Sequence, residues 1–194
     1  MPQSRRSLAI TDAYRRRIFA LRGQLQAQAP RIWDQADRLA SVVETAQIAG
    51  CRFTAAYLTA FLASETGKRT RPITIDSAAY SGSTADGQPL AEGMRSPLIG
   101  FFAARKNGEP NPERVGIDRA VRQVGMNYDA AHRTALMDTI THSDHFDGWN
   151  RALRGTCGAC AASATGLSHS PYFPVHPGCQ CVAEPRVFGA IDHF

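Results

Sequence analysis

The residues best suited to chemistry sit near the C-terminus, where four of the five cysteines fall between positions 157 and 181. They form two half-sites, Cys157-Gly-Ala-Cys160 and His176-Pro-Gly-Cys179-Gln-Cys181. Two residues between the first cysteines let both sulfurs reach one ion from a tight turn, and Gly158 eases that turn. The second half-site offers three soft or borderline ligands within six residues. Zn²⁺ takes four such ligands in a tetrahedron, with thiolate sulfur at about 2.3 Å and imidazole nitrogen at about 2.0–2.1 Å. Five candidates (Cys157, Cys160, His176, Cys179 and Cys181) for four places leave two shells open: four cysteines, or three cysteines with His176.

The segment between the half-sites, ASATGLSHSPYFPVHPG, offers only Leu167, Tyr172, Phe173 and Val175 as sizeable apolar groups. It cannot build a core of its own and needs a staple. Structural zinc supplies an apparent ~10–16 kcal/mol in finger peptides. A disulfide supplies about 2–4 kcal/mol. The alternative staple is two disulfides, with Cys157 and Cys160 each pairing across to Cys179 and Cys181. The N-terminus, MPQSRRSLAITDAYRRR, lacks the continuous apolar stretch of a secretory signal, so synthesis in a reducing cytosol is expected, which favours the metal. A shell made only of sulfur and imidazole leaves no open position, so the expected role is structural rather than catalytic.

A second set, His142-Ser-Asp144-His145-Phe-Asp147, could hold a metal if His142 and His145 shared a helix face. Its composition is equally that of a polar helix end. His132, His169 and His193 carry no spacing argument, and Cys51 reads as a buried structural thiol.

Long helices must carry this module. Leu8, Ala9, Tyr14, Ile18, Leu21 and Leu25 mark one face of a helix over 7–28, which Pro30 ends. From Asp34 to about Thr66 the apolar residues step by three or four through Leu39, Val43, Ala46, Gly50, Phe53, Tyr57 and Phe61. Gly50, with Ala46 and Ala49, makes a small-residue patch that invites a close helix neighbour. Residues 67–96 are rich in Gly, Ser, Thr and Pro. They read as an excursion that docks on the body or binds a partner, with a strand-like stretch at Ile73–Ile75 and a turn at Asp86-Gly87. Leu98, Phe101 and Phe102 anchor a short helix over 97–107. Asn111-Pro112 is a helix start, and behind it Ile117, Val121, Val124, Tyr128, Ala131 and Ala135 form a narrow seam, as in a bundle or coiled coil, within the chain or between copies. Pro177 and Pro185 exclude a regular C-terminal helix. The expected fold is therefore mainly α: a body of long amphipathic helices with a small C-terminal zinc-knuckle-like module carrying short β elements. Its parts are an N-terminal helical segment (1–66), an extended excursion (67–96), a second helical segment (97–146) and the knuckle (147–194).

The chain has 194 residues, 43% apolar and 20% charged, with a net charge of +5. It lacks the apolar run of ~18 residues that spans a bilayer, so no membrane partner is expected. Of its 22 basic residues all but Lys68 and Lys106 are arginine. Arg5, Arg6, Arg15, Arg16, Arg17, Arg22, Arg31 and Arg38 all precede residue 39. They make either a solvated helix face or a surface that meets DNA or an acidic protein.

Asp147-Gly-Trp149-Asn-Arg151-Ala-Leu153, then Cys157-Gly-Ala-Cys160, then His176-Pro-Gly-Cys179-Gln-Cys181-Val-Ala-Glu-Pro185 resembles the C-terminal signature of the phage Mu F-like minor head proteins, and of their actinobacteriophage branch in particular. The Ile75 to Tyr80 stretch and the preceding helices agree in kind. The resemblance implies a structural minor capsid protein of a tailed phage, made in the host cytoplasm and carried in the virion in multiple copies. Its implied partners are the portal protein, the major capsid protein and packaged DNA, and its implied work is head assembly with genome packaging or ejection. Two alternatives stand beside it: a DNA-binding zinc-knuckle protein of the head interior, and a capsid maturation protease, a label some relatives carry. No catalytic residue is assigned, because Ser163, Ser168 and His169 lack a nucleophile elbow and an orienting acid.

Overall fold

The computed structural model describes residues 4–153, 158–162, 166–170, 172–173 and 179–188, leaving aside the Ala159 side chain. Three long helices dominate: α1 (Arg5–Gln28), α2 (Ala36–Thr66) and α5 (Pro112–His142). Between them lie two shorter ones, α3 (Leu90–Gly93) and α4 (Ser96–Lys106). The C-terminal part holds β1 (Phe146–Ala152), α6 (Gly158–Ala162) and β2 (Val182–Val187). The fold is mainly α, with one small antiparallel β pair near the cysteines. Among the described residues no helix is long and apolar enough to cross a membrane.

The chain divides into two compact units, each drawing on all three long helices. One comprises Ile18–Cys51 and Asp76–His132. Its core holds Ile18, Leu25, Leu39, Val43, Met94, Val124 and Tyr128, all at most 4% exposed. The α2–α5 approach is tight at Gly50. A Cβ there would stand 3.0 Å from the Tyr128 ring and 3.1 Å from His132 Cβ, so the expected small-residue patch is a helix contact within the chain. Asn111 caps α5, its Oδ1 accepting from Arg114 N at 3.0 Å, as its place before Pro112 predicts.

Most of the excursion docks on this unit through two buried amides. Gln47 donates to the carbonyls of Ser83 and Asn127 at 2.9 and 3.0 Å and accepts from Gly82 N at 3.0 Å. The Asn127 side chain accepts from Ala85 N at 2.8 Å. The turn at Asp86-Gly87 forms, with Gly87 N donating to Thr84 O at 3.0 Å.

The other unit comprises Met1–Arg17, Arg52–Ile75 and Arg133–Phe194. Tyr14 and Tyr57 stack at 4.3 Å between α1 and α2, above a core that includes Leu58, Phe61, Leu136 and Ile140. The strand expected at Ile73–Ile75 does not form. Ile73 N donates to the Thr59 hydroxyl at 2.8 Å, and among the described residues no strand lies beside this stretch to complete a ladder. The arginine cluster is also less of a surface than its charge implied. Arg15 is 7% exposed and pairs with Asp12 at 2.8 Å, while in the first unit Arg22 pairs with Asp129 at 3.0 Å. Arg5, Arg6, Arg16, Arg17, Arg31 and Arg38 stay exposed.

Candidate metal centre

The β pair positions the cysteines. β1 runs against β2 with Trp149 opposite Pro185 and Ala152 opposite Val182. Pro185 has no N–H to donate, and Trp149 instead exchanges both backbone bonds with Ser168 on its other side, at 2.9 and 2.8 Å. The indole Nε1 donates to Ser170 O at 2.8 Å. Trp149 thereby fixes the cysteine-bearing loop twice, once by backbone and once by side chain. Gly148 allows it: its φ is +96°, and a Cβ there would stand 2.4 Å from the Ser168 carbonyl oxygen.

Cys160 lies on α6, and Cys179 and Cys181 lie just before β2. The three sulfurs are buried and all within 4.8 Å of one another. Cys160 and Cys179 are 3.7 Å apart, Sγ to Sγ. A regular tetrahedron with metal–sulfur bonds of about 2.3 Å has edges of roughly 3.8 Å, so this pair is spaced as two ligands of one ion. The 3.7 Å between the Cys160 and Cys179 sulfurs is well beyond the ~2.05 Å of a disulfide bond, the alternative staple that would join Cys160 to a sulfur across the loop. Of the five candidate ligands, Cys160, Cys179 and Cys181 are brought together; Cys157 and His176 lie outside the described residues. The donor chemistry fits a soft or borderline transition metal and not Mg²⁺ or Ca²⁺, which need oxygen.

Cationic groups surround the thiols. Arg151 is 7% exposed and holds Nη1 4.0 Å from Cys160 Sγ. Its guanidinium lies 4.1 Å over the Phe173 ring, which in turn meets Trp149 at 5.0 Å. Arg133 on α5 donates to the Cys179 carbonyl at 3.0 Å. A bound metal with three or four thiolates leaves a net negative shell, and these guanidiniums sit where they offset it. Glu184, the buried acid of β2, accepts from the Thr11 hydroxyl at 3.1 Å, which ties the strand to α1. Thr11 also meets the Tyr57 hydroxyl at 3.3 Å, and burial pushes the Tyr57 phenol well above its ordinary range.

Sequence reasoning placed Arg151 in the motif without giving it this work. A signal existed: Arg151 follows Trp149 by two positions, which in a strand puts both on one face. In the second histidine–aspartate set, His142 and His145 do not share a helix face. His142 ends α5 exposed, its Nδ1 2.8 Å from the Asp138 carbonyl, and His145 sits in the following turn rather than on the helix. His142, Asp144 and Asp147 border an open cleft of about 290 Å³, joined by His169 and not by His145. Ser168 is taken up in the bridge to Trp149, and its hydroxyl accepts from Ser170 N at 3.2 Å; Ser163 lies outside the described residues.

No family model, curated protein or solved structure matches the chain.

Proposed function

We propose that the protein is a structural minor head protein of a tailed phage, docking on the portal or the inner head, with a C-terminal knuckle stapled by one structural zinc ion. The observation that carries the zinc reading is the trio of buried cysteine sulfurs within 4.8 Å of one another, two of them at the edge length of a sulfur tetrahedron. Zinc suits it because a d¹⁰ ion imposes no geometry of its own and undergoes no redox change. Cys160, Cys179 and Cys181 would supply three ligands, and Cys157 or His176 the fourth.

The assignment to a phage head rests on the likeness of residues 147–185 to the Mu F-like signature. Support comes from the way those residues converge. Trp149, Arg151, Cys160, Cys179, Cys181 and Pro185 all belong to one packed arrangement, so the signature behaves as a structural unit. In this reading the knuckle has no chemistry to perform. It fixes the chain's end against the helices through Arg133 and Glu184.

The nucleic-acid reading receives less support. Of the two aromatic side chains in the knuckle loop, Phe173 is 7% exposed beneath Arg151 and only Tyr172, at 68%, can offer a face to a base. Cross-linking mass spectrometry on purified particles tests the proposal. Links from this chain to the portal are expected. Links to the coat or to DNA alone would favour genome organisation, and absence from mature particles would favour a transient assembly factor or protease.

A further inference from the structure

An apolar groove runs between α1 and α2 in the unit that also holds the knuckle. Its volume is about 220 Å³, with walls formed by Ile10, Ala13, Phe53, Ala56 and Ala60. Ala13, Ala56 and Ala60 are exposed, so small side chains on both helices leave a channel where larger ones would close it. The stacked Tyr14 and Tyr57 make the floor. Their hydroxyls are engaged elsewhere, Tyr14 with Thr54 at 3.0 Å and Tyr57 with Thr11 at 3.3 Å.

The border is cationic. Arg17 lines the groove with its guanidinium 5.5 Å above the Phe53 ring. Arg6, one turn before Ile10, falls on the same face of α1, and exposed Arg16 and Arg52 lie one helical turn from Ala13 and Ala56 respectively. Over residues 5–17 and 52–60 the only acid is Asp12, which is paired with Arg15 at 2.8 Å. A second copy of this chain would bring arginines against arginines. A nucleic acid would find cations at the rim but an apolar recess between them.

We propose that this groove receives one amphipathic helix of a partner protein, with apolar anchors at i, i+4 and i+7 and carboxylates beside them. The inference rests on the docking part of the reading above and names the partner's chemistry. It uses the familiar helix-in-groove mode, in which anchors give affinity and charges set orientation. It does not involve the metal.

The test is selection of 16-residue peptides from a random library against the purified full chain. Selected peptides are then measured by fluorescence anisotropy against the Ala56→Glu and Arg16→Glu variants. Both sites are exposed helix positions, and melting curves verify that the variants fold. The expected result is enrichment of acidic peptides with apolar residues at helical spacing, binding Ala56→Glu and Arg16→Glu about tenfold or more weaker. Peptides that bind both variants as well as the parent would overturn the proposal. So would a 30-nucleotide single strand, or phosphatidylglycerol-containing vesicles, if their binding and not that of peptides were lost in Ala56→Glu. Failure here with portal links still found in particles would leave the head reading intact and move the docking surface elsewhere.

Discussion

The helical unit of Ile18–Cys51 and Asp76–His132 and the knuckle around Cys160 solve the same problem by different means. The helical unit buries aliphatic and aromatic side chains along continuous stripes, and it holds its excursion with the Gln47 and Asn127 amides. The loop that links the knuckle's half-sites offers only Leu167, Tyr172, Phe173 and Val175 as sizeable apolar groups. The knuckle relies on a β pair of two short strands, an indole bonded twice, and three thiols facing one another. The difference is one of what must be present for order. Burial is intrinsic to the chain, whereas a thiol cluster holds a loop only once something binds it.

Breaking the knuckle should therefore cost most and spread least. Cys160→Ser removes a ligand, and loss of a structural metal site forfeits on the order of 10 kcal/mol of local ordering free energy. Rapid proteolysis confined to the region after residue 146 is expected, while far-UV circular dichroism keeps the helical signal. Loss of the helical signal as well would show that the body depends on the metal.

A smaller break in the same region is Gly148→Ala. It places a Cβ on a residue at φ +96° and against the Ser168 carbonyl. A loss of about 1–3 kcal/mol is expected, read from the denaturation midpoint. In the helical unit, Gly50→Ala pushes a methyl to 3.0 Å from the Tyr128 ring. Overpacking of this kind costs roughly 1–3 kcal/mol, offset in part by about 1 kcal/mol of helix propensity. Gly23→Ala is its control. Nothing lies within 4 Å of the new methyl, and a gain of about 0.5–1 kcal/mol is expected. If both glycines responded alike, close helix approach would not be what Gly50 provides.

An effect seen only at high pH concerns Cys51, which is fully buried, its thiol pushed up from 9.0 to about 11 by desolvation. The unfolded chain loses this proton first, so between those two pH values the folded state binds more protons. That contribution to stability is complete below pH 9 and is lost as pH rises toward 11. Urea titrations at pH 8 and 10.5 should show a smaller drop in Cys51→Ala than in the parent chain.

The helices were legible because their physics is local and periodic. The in-phase run ending near Thr66 is α2, and Asn111-Pro112 starts α5 through an observed cap. The cysteine spacing offered five candidate ligands, of which Cys160, Cys179 and Cys181 meet. What could not be read depended on partners distant in sequence. Ile73–Ile75 has strand composition but, among the described residues, no strand beside it. Arg15 and Arg22 counted as surface charge until Asp12 and Asp129 were placed next to them. Arg151 gained its role only when β1 brought it to Cys160, and His169 reached the cleft near His142 because Trp149 bridges to Ser168.

Whether a metal closes the knuckle is read from the metal content of the purified full chain, measured beside thiol alkylation. One zinc per chain is expected, with Cys160, Cys179 and Cys181 protected until a chelator is added and zinc lost in Cys160→Ser. A folded, metal-free chain whose three thiols alkylate freely, or a disulfide between any two of them, would contradict it.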